Sequence, residues 1–203
     1  MAGTFFNHLF TAFLFVISLA HFCVTPSSAR SLAGTTNTEF IRSSCSSTTY
    51  PRLCYSSLAN QATVIRNDPN LLASAALSVS MNSARSTSSM MVKLAQSHGL
   101  TPREVGAMHD CVETLSDSVD LLRKSMGEMG QLRGSKADFG LLMSDIQTWV
   151  SAALTDDDTC TEGFAGKTMN GNTKLAVRRD IVNVAHLTSN ALALINAYSS
   201  LHG

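Results

Sequence analysis

The chain has 203 residues with 15 basic and 15 acidic side chains, so it is formally neutral, and none of these charges falls in its first 29 positions. Neutrality without a basic cluster leaves no electrostatic footprint for nucleic acid or for an anionic membrane. Aromatics make up only 6% and there are four prolines, while Ala, Ser, Leu and Met abound, a composition that favours helices over a β-sandwich.

Leu9 to Cys23 is an apolar run broken only by small polar residues and His21, and Thr25-Pro26-Ser27-Ser28-Ala29 follows it. Ser27 and Ala29 stand at the −3 and −1 places of a small-residue cleavage site, which predicts a secretory signal peptide over 1–29 and a secreted, soluble product. The run is too short for a membrane span. Removing the leader also removes Cys23, leaving Cys45, Cys54, Cys111 and Cys160. In an oxidising compartment four cysteines form two disulfides, with three possible connectivities. No C-x-x-C pair is present, which argues against zinc. No Asn-x-Ser/Thr sequon occurs.

Residues 30–37 are rich in Ser, Thr and Gly and read as a frayed terminus. Short helical segments are expected over Glu39 to Ser46 and Arg52 to Arg66, with Pro51 at a first helical position and Thr49 as its cap. Asp68-Pro69-Asn70 is a break. From Asn70 to Ser97 no Gly or Pro occurs, and a helix of about seven turns is predicted. Its soft apolar stripe is Leu72, Ala76, Val79, Met90 and Leu94, with Ser83 and Ser86 between.

Gly99 ends that helix, and Thr101-Pro102-Arg103-Glu104 starts another with capping-box spacing. Met108, Val112, Leu115, Val119, Leu122 and Met126 step by 4-3-4-3-4 along it, a seam for helix packing. Gly127, Gly130, Gly134 and Gly140 mark a loop. A third long helix carries Phe139, Leu142, Ile146, Trp149 and Ala153. Thr155 to Thr173, with its three consecutive aspartates, reads as the longest connection. The last helix runs from about Lys174 to Ser200 with Val177, Ile181, Val184, Ala191, Ile195 and Tyr198 on one face. The fold class is all-α: an antiparallel four-helix bundle over about 70–200 preceded by a smaller appendage over about 39–66.

Sites for chemistry do not emerge. The sequence contains no nucleophile elbow, P-loop, dinucleotide fingerprint or H-E-x-x-H, and no Glu-x-x-His pairs for a di-iron bundle. His98, His109, His186 and His202 are scattered. Asp156–Asp158 lacks an EF-hand pattern and reads as a solvated turn rather than a calcium loop. No catalytic, metal or cofactor residue is assigned. One feature stands out: Asp110, Glu113, Asp117 and Asp120 lie at 3-4-3 spacing nearly opposite the apolar seam of their helix. Their mutual repulsion gains the monomer nothing, so they are either a solvated face or an acidic docking stripe.

At the cysteines the sequence resembles a known family. Cys45-Ser-Ser-Thr-Thr-Tyr-Pro-Arg-Leu-Cys54 is the first matching block, and Asp110-Cys111-Val112-Glu113 with Asp117-Ser118-Val119-Asp120-Leu121-Leu122 is the second. Trp149 to Thr155 leading into Thr159-Cys160 and Leu187 to Ile195 are the third and fourth. Together they are similar to the plant invertase and pectin methylesterase inhibitors, over Glu39 to Ser200. The resemblance implies an up-down-up-down four-helix bundle behind a small N-terminal helical hairpin, with disulfides Cys45–Cys54 and Cys111–Cys160. It implies a domain over 30–203 that is a secreted inhibitor in the apoplast or cell wall, needs no cofactor, and forms a one-to-one complex that covers an enzyme's cleft. The domain also occurs as a pro-region ahead of a methylesterase; ending at Gly203, this chain is expected to stand alone.

Pectin methylesterase is the first partner expected and invertase the second. Invertase inhibitors of this kind carry a Pro-Lys-Phe motif after the second bundle helix, where this chain has Gly134-Ser135-Lys136-Ala137-Asp138-Phe139. A secreted bundle with no enzyme target is the third reading.

Overall fold

The computed structural model describes residues 27–133, 138–165 and 172–202. The apolar run of the expected leader, Gly134, Lys136, Gly166 and Gly171 lie outside the described residues. Thr36–Gly203 forms one compact unit, distinct from Met1–Thr35. The described elements are all helical: α1 (Ser27–Cys45), α2 (Pro51–Leu58), a 3-10 turn (Ala59–Gln61), α3 (Ala62–Ile65), α4 (Pro69–Ala95), α5 (Pro102–Gln131), α6 (Phe139–Gly163) and α7 (Asn172–Ser200). Among the described residues no helix is long and apolar enough to cross a membrane.

Residues 30–37, expected to fray, are instead part of α1, since Gly34 is the only strong helix breaker there. Cys45 and Cys54 join α1 to α2 in a disulfide with Cα atoms 5.6 Å apart. Pro51 opens α2 as anticipated, but Tyr50 is the N-cap residue and supplies no side-chain cap. Thr49 instead meets Ser189 of α7, whose hydroxyl lies 3.4 Å from its own. Arg66 and Asn67 both take left-handed φ values (51° and 59°) and turn the chain into α4. There Asp68 Oδ1 accepts from the N–H groups of Asn70 and Leu71, satisfying two free donors of the first turn.

In α5 the capping box is complete: Thr101 Oγ1 accepts from Glu104 N–H and the Glu104 carboxylate accepts from Thr101 N–H at 2.7 Å. This helix does not stop at Gly127 but runs through Gly127 and Gly130 to Gln131. Each glycine costs about 1 kcal/mol relative to Ala in a helix. Fully buried Met129, whose carbonyl accepts from Asn70 Nδ2 at 3.1 Å, anchors the extra turn against the start of α4. Likewise α6 does not end near Thr155. It continues through Asp156–Asp158 to Gly163, held by buried Cys160 and Phe164.

Four long helices form the bundle. Asn70 at the start of α4 meets the end of α5, Cys111 near the start of α5 is bonded to Cys160 near the end of α6, and Phe139 at the start of α6 packs on Tyr198 near the end of α7. Direction therefore alternates, and α7 closes the ring by packing on α4 as well as on α6. The seam of α7 is the one expected: Val177, Ile181, Val184, Ala191, Ile195 and Tyr198 are all buried. In α4 and α6 the stripes are offset from the expected ones. Met143, Ile146, Val150, Ala153, Asp157 and Cys160 line the core in α6, and Leu72, Ala73, Leu77, Ala84 and Met91 in α4, whereas Val79, Met90 and Leu94 are only half-buried. Small core residues in α4 (Ala73, Ala76, Ser80, Ala84) blurred its hydrophobic signal.

Candidate functional site

The seam of α5 decides where its acids point. Met108, Cys111, Leu115, Ser118, Val119 and Leu122 are buried, and Asp110, Glu113, Asp117 and Asp120 are all exposed on the opposite side. Residues three and four apart share a helix face, so the four carboxyls form one stripe. Asp120 is ion-paired with Arg123 one turn on. Asp110 stands on the rim of a groove of about 420 Å³ between α5 and α6, beside Arg103 and Thr114 and over the Cys111–Cys160 disulfide.

A fifth acid joins from α6. Partial burial raises the Asp156 carboxyl above its ordinary value, and the charge of Asp117 on α5 adds to the rise. Reading residues 155–173 as a connection hid this residue, because a turn would not have placed it beside α5. The opposite charge gathers on α7, where Arg178 and Arg179 line a shallow groove with Leu175 and His186. His186 also stacks on Tyr50, ring centroids 3.6 Å apart.

The most perturbed carboxyl belongs to neither face. Asp157 is completely buried and is pushed up to about 7 by burial, against the opposing hydroxyls of Thr188 and Ser118, with Asp156 and Asp158 adding to the rise. A perturbed acid in a cleft would be a catalytic candidate. This one has no solvent access and cannot touch a substrate. The signal for it was present: Asp157 continues the 3-4 stepping that leads to Cys160, and Thr188 fills the vacant heptad place between Val184 and Ala191.

Elsewhere His98, His109 and His202 are exposed, and among the described residues no three of His, Cys, Asp and Glu gather as a metal site. His109 and Asp110 are solvent-facing while Cys111 is buried in its disulfide, so the consecutive trio is not a constellation. What the arrangement offers is a rigid, disulfide-tied helical surface with an acidic face, suited to contact rather than to bond-making.

Comparison with known proteins agrees. Residues 39–194 match the family model described as plant invertase/pectin methylesterase inhibitor. The chain is 47% identical over 165 residues to a "21 kDa protein" of Daucus carota, covering 81% of this chain and 86% of that one. It is 42% identical over 195 residues to pectinesterase inhibitor 11 of Arabidopsis thaliana, covering 94% and 96%. The fold is similar to a crystal structure of a mutant form of a pectin methylesterase inhibitor from Arabidopsis, with a TM-score of 0.60, 20% identity, and coverage of 75% of this chain and 92% of that one. On its sequence match, its paired cysteines and its helical bundle, the chain belongs to the plant invertase/pectin methylesterase inhibitor family.

Proposed function

We propose that this protein is a secreted inhibitor of plant pectin methylesterase, acting in the apoplast as a one-to-one complex that covers the enzyme's pectin-binding cleft. The family relationship supports the inhibitory role, since a relative matched over nearly its whole length is a pectinesterase inhibitor. The observation that carries the docking mode is the acidic face of α5. Asp110, Glu113 and Asp117 are exposed on a rigid helix, and Asp156 of α6 stands beside them. Charged faces of this kind supply specificity and orientation at an interface.

Inhibition of invertase is the second reading, and Phe139 weighs against it. Its ring lies 4.8 Å from His202 and 5.9 Å from Tyr198, packed onto the end of α7 rather than offered to a partner. A side chain engaged in this way must leave its own bundle before it can anchor another protein.

The test is an inhibition assay of one oxidised, leader-free preparation against a plant pectin methylesterase and a cell-wall or vacuolar invertase. The expected result is methylesterase inhibition at sub-micromolar inhibitor with invertase untouched. Invertase inhibited and methylesterase unaffected would overturn the assignment, and no effect on either would favour a bundle with another partner.

A further inference from the structure

A buried acid with no counter-ion is a costly thing to place in a bundle core. Asp157 and Ser118 are both 0% exposed, and Asp157 forms no ion pair among the described residues. Among the described residues, Asp157 Oδ1 and Ser118 Oγ, on neighbouring helices, are both buried without a well-formed hydrogen bond. From α7, Thr188 Oγ1 lies 2.7 Å from Asp157 Oδ2, and from α5 the Ser118 hydroxyl faces the same carboxyl.

The same Thr188 Oγ1 lies 3.1 Å from the carbonyl of Val184. A hydroxyl has one proton, so it cannot donate to both acceptors at once. Two arrangements are open. With Asp157 ionised, Thr188 and the Ser118 hydroxyl turn their protons to the carboxylate, and a charge without a counter-ion sits in the core. With Asp157 protonated, its O–H donates to Thr188 Oγ1 and Thr188 donates onward to Val184. This second arrangement is a closed chain from the α6 side chain to the α7 backbone, with no buried charge.

We infer that Asp157 is a proton-operated latch: protonated, it ties α6 to α7 through Thr188, and on ionisation it weakens the packing of α5, α6 and α7. Burial and neighbouring like charge favour the protonated form, against two hydroxyls that favour the carboxylate. On its own helix, Asp156 and Asp158 flank it with like charge. From α5 it meets the Ser118 hydroxyl, and the nearby acid there, Asp117, acts on Asp156. From α7 it meets Thr188, and the titratable His186 there is coupled to Asp158 and stacks on Tyr50 of the hairpin. The buried residues of α4 include no charged group. Burial raises the Asp157 carboxyl to about 7. Between the unfolded carboxylate value of about 4 and that value the folded state holds the extra proton, so stability is greatest in acid and falls as pH rises toward neutrality. The latch concerns the fold and does not depend on the identity of the target enzyme.

Thermal melting of the oxidised protein between about pH 5 and 8 should show a fall of about 10 °C. Asp157→Asn should lose more than half of that fall, because its amide keeps a donor for Thr188 without ionising. A carboxyl carbon titration of Asp157 by NMR in the unsubstituted protein covers the case in which a variant does not fold, and a midpoint near neutrality is expected. A midpoint below about pH 5, or an Asp157→Asn protein that retains more than half of the fall, would overturn the latch.

Discussion

The side-chain amide of Asn190 on α7 pairs with both backbone groups of Tyr50: Oδ1 accepts from the Tyr50 N–H at 3.0 Å, and Nδ2 donates to the Tyr50 carbonyl at 3.1 Å. Asn190 is itself buried, so the two bonds are shielded from water and hold the α1–α2 connection against the bundle. Removing it leaves two backbone groups unpaired and costs about 2–3 kcal/mol. Asn190→Ala should lower the melting temperature and speed amide exchange across residues 46–58 while leaving the core of α6 protected. Unchanged exchange at Tyr50 would show that the stack of His186 and the Cys45–Cys54 disulfide hold the hairpin by themselves.

The two disulfides have different duties. Cys45–Cys54 closes 9 residues within the hairpin, and Cys111–Cys160 closes 49 residues between α5 and α6. Loop-closure entropy gives about 2.6 kcal/mol for the shorter and about 4 kcal/mol for the longer. Replacing Cys111 and Cys160 together by Ala should therefore depress the melting temperature more than replacing Cys45 and Cys54. The reverse order would place the hairpin, not the α5–α6 pair, at the centre of stability.

His186 should act against Asp157. Desolvation lowers its imidazole below the ordinary value, partly offset by Asp158. The unfolded chain then binds the proton more readily, so this residue contributes stability above about pH 6.5 that is lost as pH falls through its folded value. His186→Phe keeps a ring against Tyr50 and cannot charge. It should raise stability near pH 5 relative to the unsubstituted protein and change it little near pH 8. Melting curves at the two pH values measure this, and an equal shift at both would make His186 a packing residue only.

Where the sequence could be read depended on how much each position had to say. The α7 seam was legible because its core places are filled by Val, Ile, Ala and Tyr in unbroken heptad order apart from Thr188. The ends of α5 and α6 were not, because Gly127, Gly130 and Asp156–Asp158 argue locally for turns. Their helical state comes from tertiary anchors, Met129 against Asn70 and Cys160 bonded to Cys111, which no local pattern encodes. The acidic stripe was fully legible, since one helix with a clear seam fixes both of its faces. Asp156 was missed because its neighbour Asp117 is on another helix.

That stripe yields the prediction that best separates docking from folding. Glu113 and Asp117 are exposed and lie four apart on α5, a like-charge spacing that destabilises a helix by a few tenths of a kcal/mol. Neutralising them as Glu113→Gln with Asp117→Asn should therefore leave the melting temperature unchanged or slightly raised. If the face docks on a methylesterase, the same double substitution removes two charges from the interface and should weaken the complex about tenfold or more. It should also flatten the salt dependence of the association rate, because exposed charges steer encounter through a screened field. Titration calorimetry or surface binding with paired melting curves reads both effects on one sample. A stable double variant that binds as tightly as the parent would return the stripe to an ordinary solvated face and move the interface to another side of the bundle.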